Sequence, residues 1–120
     1  MRSDQPGRRD EPLVEVSRNG DAIVVRAAGE LDLHTSGPFR EALLQSADAA
    51  PGDVVVDLAD VEFMDSTTLA ILLEARGRVG RDRFRLAAPG VEARRALEVS
   101  GLDRHFRVFA TVEEALAATP

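Results

Sequence analysis

Cysteine, lysine, tryptophan and tyrosine are all missing from the 120 residues, and the only aromatic side chains are five phenylalanines. Each absence closes off a class of chemistry. Without cysteine there is no disulfide framework and no thiolate to act as nucleophile or metal ligand. All fifteen basic residues are arginine, so the P-loop amine and Schiff-base catalysis are both excluded. No apolar run approaches the roughly 18 residues that span a bilayer. The opening MRSDQPGRRDEP also lacks the apolar segment of a signal peptide. A cytoplasmic protein without a membrane partner is the expectation.

With 44% hydrophobic and 30% charged residues, the composition is that of one globular domain whose core is Val, Leu, Ile and Ala. A formal net charge of −6 argues against nucleic acid as the main partner. The charge is uneven. Residues 74–95 hold seven arginines against Glu74, Asp82 and Glu92, giving +4 in that stretch. Such a stretch reads either as solvated helix and strand surface or as a docking patch for an acidic partner.

Residues 1–12 mix Pro, Gly and charges without periodicity and read as a flexible tail. Leu13–Ser17 and Ala22–Ala28 flank Asn19-Gly20, a hairpin signal. Pro38 suits the start of a helix on which Phe39, Ala42, Leu43 and Ala47 share a face, up to about Ala49. Val54, Val55, Val56 and Leu58 suggest a strand buried on both faces. A helix follows from about Ser66 to Arg76, with Leu69, Leu72, Leu73 and Arg76 along one side and Gly77 and Gly80 loosening its end. Arg83-Phe84-Arg85-Leu86 alternates as a half-exposed strand should. A helix over about 91–100 is expected to bury Ala93, Ala96 and Leu97. Phe106–Phe109 reads as a last strand, and Thr111-Val-Glu-Glu114 as the capping box of a final helix to about Ala118. The order β-β-α-β-α-β-α-β-α implies an α/β domain with a mostly parallel sheet over residues 13–118.

The stretch FMDSTTLAILL (63–73) places Ser66 where strand gives way to helix. Three readings compete. Serine is a good N-cap, and its loss there costs roughly 0.5–2 kcal/mol. A nucleophilic serine needs a base, but the only imidazoles are His34 and His105 and no G-x-S-x-G elbow is present. The third reading is a phosphate acceptor. A phosphoserine carries about −1.5 to −2 charges, which a helix N-terminus partly favours and Asp65 opposes. The two histidines have no metal-ligand spacing and read as solvated loop positions. Asp57 resembles the phosphoaspartate of receiver domains, but that chemistry needs a lysine, so it reads as a polar strand-end residue.

Three segments together resemble the STAS-domain anti-sigma factor antagonists of bacteria: GELDLHT (29–35), DVVVDLADVEFMDSTTLAILL (53–73) and APGVEARRALEVSGLDRHFRVFATVEEALAA (88–118). The resemblance implies a single STAS-type domain that is not an enzyme and carries no catalytic group, cofactor or metal. It implies phosphorylation at Ser66, with Thr67 and Thr68 as further candidates. The implied partner is an anti-sigma factor bearing a histidine-kinase-type ATPase domain, bound when Ser66 is unmodified and released on phosphorylation; a serine phosphatase resets the cycle. Asp32, His34, Thr35, Asp65, Ser66, Thr67, Thr68 and Leu69 are the implied contact residues. The chain departs from the family pattern at Thr68, where glycine is usual, and at Ala70, where a second glycine is common. A threonine there is expected to place a branched side chain on the exposed first turn. That would suit either an unusual partner or an interaction scaffold that is never phosphorylated.

Overall fold

The structure is a computed structural model that describes residues 12–119. The tail expected over residues 1–12 therefore lies outside the described residues except for Pro12. Five strands and four helices follow the expected order: β1 (Leu13–Asn19), β2 (Ala22–Leu31), α1 (Gly37–Ala49), β3 (Val54–Met64), α2 (Ser66–Val79), β4 (Phe84–Ala87), α3 (Val91–Val99), β5 (Arg107–Phe109) and α4 (Val112–Ala117). A short 3-10 turn, Leu102–His105, precedes β5.

The hairpin forms one residue later than the Asn-Gly pair suggests. Asn19 still pairs with Ala22, so the loop is Gly20-Asp21. Gly20 has φ +61 and Asp21 is not among the positive-φ residues. Positive φ at the first central position alone is the pattern of a II′ turn, and glycine adopts it without steric cost.

The sheet order is β1-β2-β3-β4-β5, with β1 antiparallel to β2 and every later pair parallel. Crossovers of one handedness that step one way across a sheet lie on one face. Accordingly Leu43 of α1, Leu72 of α2 and Leu97 of α3 share one core with Val25, Val56, Leu58 and Leu86 of the sheet. Each fully buried Leu contributes roughly 1.5–3 kcal/mol through burial. Among the described residues the other face carries only α4, whose Ala115 packs with Val55 and Ala87.

That second layer corrects the expectation for the fourth strand. All four residues of β4 are buried rather than alternating. Arg85 lies on the α4 side, fully buried, with Nη1 2.8 Å from Asp53 Oδ2 and donating to Ala115 O at 2.8 Å. Alternation marks the two faces of a strand but cannot show that a six-residue helix later covers the polar one. Arg83, next to it, donates to the backbone carbonyl of Gly52.

Parallel strands also bring their carboxyl ends to one edge. Both β2 and β3 run further than their apolar cores suggest, pairing as far as Leu31↔Met64. Two register shifts, at Arg26/Ala28 and Gly29/Glu30, allow this extension. Gly29 between them takes φ +98, a bulge geometry that favours glycine. The segment after Leu31 and the Asp65-Ser66 junction thus emerge side by side, 34 residues apart in the chain.

Candidate functional site

Asp65, not Ser66, is the N-cap of α2. Its Oδ1 accepts the N–H groups of Thr67 and Thr68 at 3.0 and 3.3 Å. Ser66 is therefore the first helical residue, and it is exposed. The expectation of a capping serine fails because an aspartate one residue earlier satisfies the same amides with a charged acceptor, the stronger bond. Among the described residues the Ser66 hydroxyl has no hydrogen-bond partner.

Thr68 corrects a second expectation. It is fully buried, and its hydroxyl donates to Leu31 O at 2.9 Å. One residue beyond Thr67 the helix turns inward, so the branched side chain faces the end of β2 and leaves the outer face of the first turn clear. Leu69 is buried as well. Neither side chain offers surface to a partner in this arrangement, whereas Thr67 is half-buried.

The neighbouring loop is held with similar economy. Asp32 Oδ1 accepts the N–H groups of His34 and Thr35 at 2.8 and 3.0 Å. The Thr35 hydroxyl accepts Asp32 N–H at 2.9 Å and lies 2.8 Å from Glu30 O and 3.0 Å from Asp32 Oδ1, with one proton to give. These bonds favour the charged carboxylate, the His34 N–H most and the Thr35 hydroxyl next, and hold Asp32 below the usual carboxylate range. His34 and Leu33 are exposed at the tip of the loop.

Two bonds join the halves. Asp65 Oδ2 accepts Leu33 N–H at 3.2 Å, and Asp65 N–H donates to Leu31 O at 3.3 Å. Leu31 O thus receives both Asp65 N–H and the Thr68 hydroxyl. The expected residues Asp32, Thr35 and Asp65 are brought into one hydrogen-bonded frame, with His34, Ser66 and Thr67 on its outer side. Leu33 is the residue that sequence reasoning missed. Its only signal was an apolar side chain inside the polar run of GELDLHTSG.

The two segments that form this frame are acidic. No arginine occurs between Ala27 and Phe39 or between Asp57 and Ala75, while Glu30, Asp32, Glu62 and Asp65 do. Among the described residues no group of three or more His, Asp or Glu side chains could hold a metal ion. Nor is any helix long and apolar enough to cross a membrane. His34 and His105 are both exposed. The seven arginines of residues 74–95 are dispersed: Arg78 pairs with Asp48 and Glu74, and Arg83 and Arg85 bond within the fold.

The family model described as STAS domain matches residues 14–115. The chain belongs to the STAS domain family. This STAS domain is 34% identical over 108 residues to the anti-sigma-F factor antagonist RsfB of Mycobacterium tuberculosis, across 89% of this chain and 88% of that one. Its fold is similar to the crystal structure of an anti-sigma factor antagonist from Mycobacterium paratuberculosis, with TM-score 0.82 and 30% identity over 89% of this chain and 92% of that one. It is also similar in fold to the Bacillus cell fate determinant SpoIIAA in its phosphorylated form, with TM-score 0.65 and 24% identity over 87% and 96% of the two chains.

Proposed function

We propose that this STAS domain is an anti-sigma factor antagonist switched by phosphorylation of Ser66. The observation that carries the reading is the free Ser66 hydroxyl. Asp65 takes over the capping role, so the acceptor oxygen stands exposed on a helix end that partly favours an anion. The names of RsfB and of the Mycobacterium paratuberculosis protein supply the partner class, and SpoIIAA, of the same fold, exists in a phosphorylated form.

In this scheme the partner is an anti-sigma factor with a histidine-kinase-type ATPase domain. Ser66 Oγ attacks the γ-phosphorus of its bound ATP; the new O–P bond forms as the bond to the bridging oxygen breaks and ADP leaves. The serine proton passes to a base on the partner. A serine phosphatase later hydrolyses the ester. The domain supplies the acceptor and the recognition face, formed by Asp32, His34, Thr35, Asp65, Ser66 and Thr67, and the cycle runs in the cytoplasm. Thr68, the residue that suggested a scaffold without a switch, points into the core and leaves Ser66 accessible.

Incubation with the anti-sigma factor and ATP, followed by intact-mass and fragment analysis, tests the reading. One phosphoryl group on Ser66, absent from Ser66→Ala protein, is the expected result. Unmodified protein after incubation with a factor that it binds would leave the scaffold reading in its place.

A further inference from the structure

Leu33, on the loop that Asp65 holds, is 69% exposed. Phe63, three residues before Ser66, is 43% exposed, and Val99 of α3 is 82% exposed. Phe63, Met64, Ala96 and Val99 line a groove of about 220 Å³ whose polar edge is Glu92 and Arg95. Large apolar side chains of this kind are ordinary when isolated. Here Leu33 is tied to the residue before Ser66 and Phe63 lies at the end of the strand that leads into it, and the Leu33 loop is fixed by hydrogen bonds at Asp32, Thr35 and Asp65.

The sign of the electrostatics makes this arrangement matter. The rim of Glu30, Asp32, Glu62 and Asp65 complements a basic partner surface. Against a basic surface in water, a further dianion on Ser66 would strengthen attraction rather than release the partner. Release follows if apolar contacts around the site exclude water, so that the phosphate gained by a hydroxyl facing the partner's nucleotide loses its hydration beside like charge without gaining a paired one.

We infer that Leu33 and the Phe63–Val99 groove are the apolar anchors of the anti-sigma factor, which presents apolar side chains ringed by basic ones and closes over Ser66. The inference rests on the reading of Ser66 as the switch. It adds where the binding affinity comes from and why a phosphate removes it. Contacts near the centre of an interface, shielded from water, carry most of its affinity.

The probe is the purified anti-sigma factor that binds the Ser66→Ala protein, titrated against full-length variants by calorimetry. In the Ser66→Ala background, Leu33→Ser and Phe63→Ser should each weaken binding by roughly tenfold or more. Leu33→Met should bind nearly as well as Leu33. Val16→Ser, an equivalent loss at a half-exposed position on β1, should change nothing. Thermal unfolding checks that each variant is folded, as expected for exposed positions. The association rate should fall steeply with added salt. Unchanged affinity for Leu33→Ser and Phe63→Ser, with Ser66→Asp still unable to bind, overturns the anchors and leaves the switch standing. Equal binding by Ser66→Ala and Ser66→Asp, or no factor bound by either, removes the switch and the anchors with it. An association rate that rises with salt contradicts the basic rim.

Discussion

Asp65 holds Leu33. The two oxygens of one carboxylate serve two elements: Oδ1 caps α2 through Thr67 and Thr68, and Oδ2 accepts the Leu33 N–H at 3.2 Å. The helix that carries Ser66 and the loop that carries Asp32 and His34 are thereby one body. A partner that contacts one contacts the other in fixed register.

Removing that carboxylate should loosen both. Asp65→Ala is expected to lower stability by about 1 kcal/mol, the usual cost of a lost N-cap. The Leu33, Thr67 and Thr68 amides should also exchange faster with solvent. Hydrogen exchange read residue by residue checks this. Faster exchange at Thr67 and Thr68 but not at Leu33 would show that the loop stands without the helix.

The Thr68 hydroxyl offers a second test of the same frame. Thr68→Val keeps the buried shape but removes the donor to Leu31 O, which still receives the Asp65 N–H. A loss of about 1 kcal/mol in chemical denaturation is expected. Thr68→Gly, the residue usual in the family pattern, should cost more, since it adds an unfilled buried space and a helical glycine to the lost bond. A gain in stability with glycine would mean that Thr68 is strained in place.

Arg85 and Asp53 predict an asymmetry. Arg85 is wholly buried with Nε and Nη2 lacking partners among the described residues, while the Asp53 side chain is 26% exposed. Asp53→Ala leaves a buried cation without its carboxylate and should cost about 2 kcal/mol, below the range for a fully buried pair because water reaches the site. Arg85→Met removes the charge and keeps most of the volume, so it should be close to neutral or stabilising. Denaturant midpoints of the two variants settle the order.

The sequence was most legible where side-chain period matched burial. The nine-element order, the all-apolar start of β3 and the core positions Phe39, Leu43, Leu72 and Leu97 follow from spacing alone. The spatial order of the strands does not follow from spacing. What escaped was set by neighbours distant in the chain. The far half of β3 reads as polar and interrupted (ADVEFM), yet it pairs with β2 through the Gly29 bulge. Arg85 looked solvent-facing because α4, which covers it, comes 27 residues later. Ser66 and Asp65 are both good caps, and only the backbone path decides that Asp65 takes the role and Ser66 keeps a free hydroxyl.

Protonation offers a check on the loop. Asp32 lies below the usual carboxylate range because the His34 N–H and the Thr35 hydroxyl bond its charged form. A carboxyl with a lower pKa folded than unfolded stabilises the fold fully above its unfolded value, and that contribution is lost as pH falls through the folded value. The His34 and Thr35 amide signals should therefore be constant near neutral pH and shift with a midpoint below that of an ordinary aspartate. Asp32→Asn should abolish the transition. A midpoint at or above the ordinary value would show that these bonds are not made in solution.

The most direct measurement is the affinity of the anti-sigma factor for the domain before and after stoichiometric phosphorylation of Ser66, on the same preparation and at the same salt. A desolvation penalty of about 3 kcal/mol corresponds to binding roughly 150-fold weaker after modification. Affinities that agree within about twofold would contradict a switch at Ser66.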